Sequence, residues 1–368
     1  MTFPDLPDFP WDLLADHAAR ARSHPGGVVD LSVGTPVDPV PPLVQAALGA
    51  AAEMPGYPTT HGIPELRAAA VAALERRHGV VGIDQDAVLP TIGSKELVAW
   101  LPTLLGATSL VIPELAYPTY EVGARLAKAT LVRSDGLVAL GPAAPSLIWL
   151  NSPSNPTGRV LPVEHLRKVV EWARERGTIV VSDECYLTLG WETAPVSVLH
   201  PSVSGGDVTG LLAVHSLSKS SSLAGYRAGY VVGDPALVRG LLEVRKHAGM
   251  IVPRPVQAAM TAALADDAHV AEQKARFGAR RAVLRPALLE AGFRIDHSEA
   301  GLYLWATRDE SAWDTVRWLA ERGILAAPGT FYGPTGDRHV RIALTATDER
   351  IDAAVERLRD RDAPVPVS

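Results

Sequence analysis

The middle of this chain alternates short apolar runs with stretches of helical periodicity, and each apolar run ends in polar residues. The segment Ser146-Leu-Ile-Trp-Leu150 reads as a buried strand that stops at Asn151. A helix is predicted over 162–176, with Pro162 in its first turn and Gly177 just past its end. Val163, Leu166, Val169, Val170 and Ala173 form one apolar stripe at the helical period. The next strand is read at 178–181, ending at Ser182 and Asp183, and another at 211–214, ending at His215 and Ser216. Strand, helix and strand in this order predict a mostly parallel sheet covered on both faces, an α/β fold.

Upstream, 64–78 reads as a helix stopped by Gly79, a further helix is expected near Ser94, and 110–112 is a strand candidate. The last hundred residues change character. Segments 302–305 and 339–344 look like half-buried strands, interleaved with helices near 313–322 and 349–361. The expected division is a large domain over 45–260 and a smaller α+β domain built from 1–44 and 261–368; 368 residues can fill both. With 47% apolar and 21% charged residues, the composition is that of a globular chain. The 35 basic and 41 acidic residues leave a net charge of −6 with no dense basic stretch, so neither nucleic acid nor an anionic membrane is an expected partner. The single cysteine, Cys185, allows no intramolecular disulfide and no cysteine metal cluster. The opening MTFPDLPDFPWDLL lacks a basic segment followed by an apolar core, and no uncharged apolar run reaches the ~18 residues of a membrane span. A cytoplasmic location is expected.

Ligands of open α/β sheets bind beyond the carboxyl ends of the strands. The residues that follow the apolar runs are Asn151 and Asn155, Asp183 and Tyr186, then Ser216, Ser218 and Lys219, with Tyr117 after 110–112. The chain has only six lysines, and Lys128, Lys168, Lys246 and Lys274 fall in charged helical stretches. Lys95 stands at a helix start, where the dipole disfavours a cation. Lys219 lies in a hydroxyl-rich strand-end loop, open between a cofactor lysine and an ordinary loop lysine. No Gly-x-Gly-x-x-Gly follows a strand, and Gly-Lys, His-Glu-x-x-His and Gly-x-Ser-x-Gly are missing, which weakens dinucleotide, nucleotide, zinc and serine-hydrolase readings.

Seven segments in order carry a family resemblance: Tyr57-x4-Gly62-x3-Leu66-Arg67, Gly93-Ser94-Lys95, Tyr117-Pro-Thr-Tyr120, Asn155-Pro-Thr-Gly158, Asp183-Glu-Cys-Tyr186, Ser216-Leu-Ser-Lys219 with Arg227, and Pro328-Gly329 with Arg341. Together they resemble fold-type I pyridoxal 5′-phosphate (PLP) aminotransferases of class I/II, over nearly the whole chain. More narrowly, 30–39 and 216–230 resemble bacterial N-succinyldiaminopimelate aminotransferases of lysine biosynthesis. The resemblance implies the PLP-dependent transferase fold, and it implies roles. Lys219 would carry the cofactor and, once released, act as general base. Asp183 would pair with the protonated ring nitrogen. Asn155 and Tyr186 would hydrogen-bond the cofactor's phenolic oxygen, and Tyr117 would stack on its ring. Gly93, Ser94 and Lys95 would bind the phosphate at a helix start, with Ser216, Ser218 and Arg227 adding hydroxyl and guanidinium contacts. Arg341 would grip the substrate α-carboxylate near Gly34 and Asn155. Tyr57 would reach the phosphate of a neighbouring subunit, which implies a homodimer with shared active sites.

Each residue also has a plainer reading: Asp183 as a helix cap, Asn155 as a turn residue before proline, Tyr117 as packing, Arg341 as a solvent-facing strand arginine. The expected activity is transfer of an amino group from glutamate to a keto acid, N-succinyl-2-amino-6-oxopimelate by the narrower resemblance. The alternatives are an aminotransferase for aromatic or small aliphatic amino acids and a PLP carbon–sulfur lyase. A PLP-binding regulator is a further class, for which the short proline-rich start leaves no room for a DNA-binding domain. No metal is expected.

Overall fold

A computed structural model describes residues 5–142 and 144–360. The first strand, β1 (Val29–Asp30), lies apart from the main sheet. That sheet has seven strands: β2 (Val88–Ile92), β3 (Ser109–Ile112), β4 (Thr130–Arg133), β5 (Leu147–Asn151), β6 (Ile179–Asp183), β7 (Leu211–Ser216) and β8 (Ala228–Gly233). Their spatial order is β2-β8-β7-β6-β5-β3-β4. The run from β7 to β4 is parallel, while β8 is antiparallel to both β7 and β2. The expected mostly parallel α/β sheet is therefore present, with an antiparallel edge.

Strand β5 shows why its sequence is an unbroken apolar run. Ile148 and Leu150 pack into one layer with Leu166, Val169 and Val170 of the helix Val163–Arg174. Leu147 and Trp149 face the opposite layer, with Leu97, Leu101 and Tyr120. A strand covered on both faces needs apolar residues at every position. The helix begins one residue later than expected, with extended Pro162 as its N-cap, and Gly177 supplies a left-handed φ of 65° beyond its end.

Three strands of this sheet gave no clear sequence signal. β2 contains Pro90, which an edge strand tolerates because its N–H is not needed for pairing. β8 contains Gly229, where an added Cβ would stand 2.9 Å from the Ser94 nitrogen and 3.0 Å from the His215 carbonyl oxygen. This glycine lets the start of the helix Gly93–Leu104 sit directly against the sheet. β4, with its half-exposed Thr-Leu-Val-Arg, closes the other edge.

The second packed unit holds β9 (Arg294–Ile295), β10 (Tyr303–Thr307), β11 (Ile324–Leu325), β12 (Ala327–Pro328) and β13 (Val340–Ala343). An antiparallel sheet runs β12-β13-β10-β9, and β11 pairs in parallel with β1. Its core joins Phe277, Leu284 and Leu288 of the helix Ala268–Glu290 to Leu302, Val316 and Ile351, and takes in Leu14, Val29 and Leu31 from the N-terminal part. β10 and β13 correct an expectation: they are buried at every residue, not half-buried. The face of β13 that carries Arg341 turns toward the end of the main sheet, where it meets Ser32 and Asn155 instead of solvent. The helices expected near 313–322 and 349–361 run Ala312–Glu321 and Asp348–Arg359, while residue 361 lies outside the described residues.

Candidate active site

A cavity of about 750 Å³ opens at the carboxyl ends of β6 and β7, between the two packed units. β6 delivers Asp183 into it. The Asp183 carboxylate is buried, with one oxygen accepting from the Tyr120 hydroxyl at 2.8 Å and the other from the Cys185 N–H at 3.2 Å. No cation stands within ion-pairing distance of it among the described residues, and burial holds its pKa above the usual range against those hydrogen bonds. The same burial pushes the Cys185 thiol up, so this cysteine is protonated, not a nucleophile.

β7 ends at Ser216, whose hydroxyl accepts the Ser218 N–H at 3.1 Å and caps the short helix Leu217–Ser220. This cap fixes Lys219 over the cavity. Its amine hydrogen-bonds the Gly34 carbonyl oxygen, and burial lowers its proton affinity. An added Cβ at Gly34 would lie 2.1 Å from the Tyr303 hydroxyl, so only glycine fits beneath that ring.

Across from Lys219, Asn151 and Asn155 organise the loop after β5. Asn151 donates to the Asp183 carbonyl oxygen at 3.0 Å and accepts the Asn155 N–H at 2.7 Å. The Asn155 side chain accepts from Arg341 at 2.9 Å, and Arg341 also donates to the Ser32 carbonyl oxygen at 2.6 Å. Arg341 is 2% exposed, its Nε has no partner, and no carboxylate pairs with it among the described residues. Its guanidinium is instead held over the Tyr303 ring at 4.0 Å and the Tyr332 ring at 5.0 Å. A buried cation without a counter-charge is costly, and an incoming carboxylate removes that cost.

The helix Gly93–Leu104 points its N-terminus at the other end of the cavity, and no side chain caps it. Ser94 and Lys95 line the cavity, and an added Cβ at Gly93 would stand 2.3 Å from an Arg227 nitrogen, so that guanidinium rests on the helix start. Uncapped N–H groups, a helix dipole and a guanidinium make a place for a phosphate-like anion.

Gly34, Ser94, Lys95, Tyr117, Asn155 and Asp183 line this one cavity, as do Tyr186, Ser216, Ser218, Lys219, Arg227 and Arg341. Tyr117 is buried enough that its phenol is pushed up to about 12. Lys95 turns its amine over the Phe9 ring, leaving only its backbone for an anion. Tyr57 is not brought in; its side chain is fully exposed. Sequence reasoning missed Tyr120 as the donor to Asp183, although Tyr120 stands in one of the quoted segments. It also missed Tyr303, whose hydroxyl lies 3.0 Å from that of Tyr186, and the wall formed by Leu6, Phe9 and Trp11. Those residues carry no local pattern.

The family described as aminotransferase class I and II matches the chain over residues 26–358. The chain is 68% identical to a probable aminotransferase of Mycobacterium tuberculosis, over 96% of this chain and 85% of that protein. It is 57% identical to 4-dedimethylamino-4-oxo-anhydrotetracycline transaminase OxyQ of Streptomyces rimosus, over 96% and 99%. An LL-diaminopimelate aminotransferase of Dehalococcoides mccartyi is 31% identical, over 96% of both chains. Among solved structures, an aminotransferase from Neisseria meningitidis superposes with a TM-score of 0.85 at 28% identity, covering 97% of each chain.

Proposed function

This chain belongs to the class I and II aminotransferases, which are PLP-dependent enzymes using an amino donor and a keto-acid acceptor, and from that premise we propose that it carries an amino group from glutamate to N-succinyl-2-amino-6-oxopimelate. One observation carries the reading of the site. A single cavity holds a half-buried amine, Lys219, a buried carboxylate, Asp183, and a buried guanidinium, Arg341, and among the described residues neither of the last two has an oppositely charged partner.

These residues fit PLP. Asp183 would pair with the cationic ring nitrogen, the Gly93–Ser94 helix start and Arg227 would hold the phosphate, and Asn155 and Tyr186 would face the phenolic oxygen. When bound, PLP supplies an electron sink for the charge left at the substrate Cα as its proton departs. Arg341 orients the substrate by its α-carboxylate, with Asn155 fixing the guanidinium. Lys219 Nζ takes the proton from Cα, a task suited to an amine whose proton affinity burial has lowered. Trp11, Tyr303 and the segment around Phe9 exclude water from one side. We further propose the domain division near residues 45 and 260, and a homodimer in which Tyr57 serves the neighbouring site.

The substrate assignment is supported by the likeness of 30–39 and 216–230 to N-succinyldiaminopimelate aminotransferases and by the relative named for LL-diaminopimelate. A second reading, an aromatic amino-acid aminotransferase, is favoured by the aromatic wall of Phe9, Trp11 and Tyr303. A panel of donors and acceptors scored by kcat/KM separates them. The succinylated keto acid should exceed phenylpyruvate and pyruvate by at least tenfold with glutamate as donor; parity or reversal defeats the assignment. Lys219→Ala should abolish turnover and the cofactor's visible absorbance, and retained transamination would overturn the site itself.

A further inference from the structure

Behind the Asn155 loop lies a second cavity, of about 290 Å³, near the lower end of the usual size of ligand pockets. Its floor is apolar: Leu140, Ile148, Leu150 and Val169 come from the main-sheet unit. Trp305, with the His339 ring stacked on it at 4.9 Å, closes it from the other unit. Ser154 and Thr157 line it from the same loop whose Asn155 receives Arg341 on the catalytic side. That loop is tied to the second unit by backbone bonds from Ser298 to Thr157 at 2.9 Å and from Ala300 to Gly158 at 3.0 Å.

The charges at this cavity are unequally committed. Asp296 is taken by Arg294 and by His339 at 2.8 Å. Asp135 and Arg159 are not. One Asp135 oxygen accepts the Glu114 N–H at 2.9 Å, but no cation pairs with the carboxylate among the described residues. The exposed Arg159 guanidinium makes no hydrogen bond or ion pair among them. An apolar floor therefore sits beneath one negative and one positive group that do not pair with each other, with His165 of the lining within electrostatic reach of both.

From this juxtaposition we propose that the second cavity is a binding site for a free α-amino acid with an apolar side chain, its carboxylate on Arg159, its ammonium on Asp135 and its side chain on Ile148 and Leu150. A plain carboxylic acid leaves Asp135 unused, and a cationic amine leaves Arg159 unused. The occupant touches both units and the back of the Asn155 loop. The proposal uses no catalytic assignment and stands or falls separately from the substrate reading.

The probe is cycloleucine, whose Cα bears no hydrogen and cannot be transaminated. It is titrated calorimetrically into borohydride-reduced holoenzyme, beside cyclopentanecarboxylate, which lacks the ammonium. Saturable cycloleucine binding should weaken roughly tenfold or more in Arg159→Ala and in Asp135→Asn, as expected for a lost charge-assisted hydrogen bond. Arg341→Ala should leave it unchanged, and cyclopentanecarboxylate should bind at least tenfold more weakly than cycloleucine. Both substituted side chains are exposed, so folding is retained. Absence of saturable binding overturns the proposal, as does binding lost in Arg341→Ala but kept in Arg159→Ala. Equal affinity for the two probes overturns the amino-acid assignment.

Discussion

Arg341 and Glu184 show how far burial alone sets the behaviour of a single side chain. Arg341 has two carbonyl-type acceptors and three aromatic faces around it, yet no anion among the described residues. Removing it in Arg341→Ala should raise KM for the amino donor and cut kcat/KM by roughly two orders of magnitude, since charge-assisted contacts to the carboxylate are lost. Steady-state kinetics with glutamate check this, and an unchanged KM contradicts it. Glu184 follows Asp183 into the interior, where burial pushes it up to about 7 from its usual 4.5. Its neighbour His215, 3.5 Å away, is pushed down to about 3 by the same cause. Between pH 4.5 and 7 the folded chain keeps a proton on Glu184 that the unfolded chain has lost, so this residue makes stability fall as pH rises. His215 works the other way between 3 and 6.5, because there only the unfolded chain takes up the proton. Glu184→Gln keeps the acceptor for the Val198 N–H and removes the first effect. Denaturant unfolding should show the variant gaining on the parent by on the order of a few kcal/mol between pH 5 and pH 7.5.

At the scale of elements, the short helix Leu217–Ser220 that carries Lys219 is too small to hold its own position. Ser216 caps its start, and its end is anchored by a chain of side-chain bonds. The Ser221 hydroxyl bonds His269 Nε2 at 2.8 Å, and His269 Nδ1 bonds Asp266 at 2.6 Å. Ser221 is 1% exposed, so this trio holds the element in place and has no access to substrate. His269→Ala leaves a buried hydroxyl without that partner and should cost roughly 1–3 kcal/mol in thermal or denaturant unfolding. Gly34→Ala acts on the facing loop segment after β1. A methyl group 2.1 Å from the Tyr303 hydroxyl must displace that ring, an overpacking cost of about 1–3 kcal/mol, and KM for the donor should rise as Arg341 loses the ring beneath it.

Over the whole molecule, the catalytic cavity lies where two packed units meet, with Asp183 and Lys219 from one and Arg341 and Tyr303 from the other. Tyr57 stands fully exposed near the N-terminal end of the main-sheet unit. If it serves a neighbouring subunit, Tyr57→Phe should weaken PLP retention by roughly tenfold without changing thermal stability by more than about 0.5 kcal/mol, as for a surface substitution. Equilibrium dialysis of cofactor, with sedimentation to establish the dimer, measures it.

The sequence by itself determined the α/β class, because short runs apolar at every position, such as 147–150, alternate with stretches of helical period, the order of a parallel sheet covered on both faces. It also determined which residues follow those runs, and so which side chains stand at the sheet's carboxyl edge. Local pattern carried no information about β8, whose Gly229 makes room for the start of the Gly93–Leu104 helix, or about Phe9, Trp11 and Tyr303, which reach the cavity only through packing between distant segments. The burial of Arg341 was equally out of reach: alternation along 340–345 separates two faces of a strand but cannot say that the second face meets another unit in place of water. Tertiary structure decided that, because the environment of a side chain is set by what the rest of the chain brings against it.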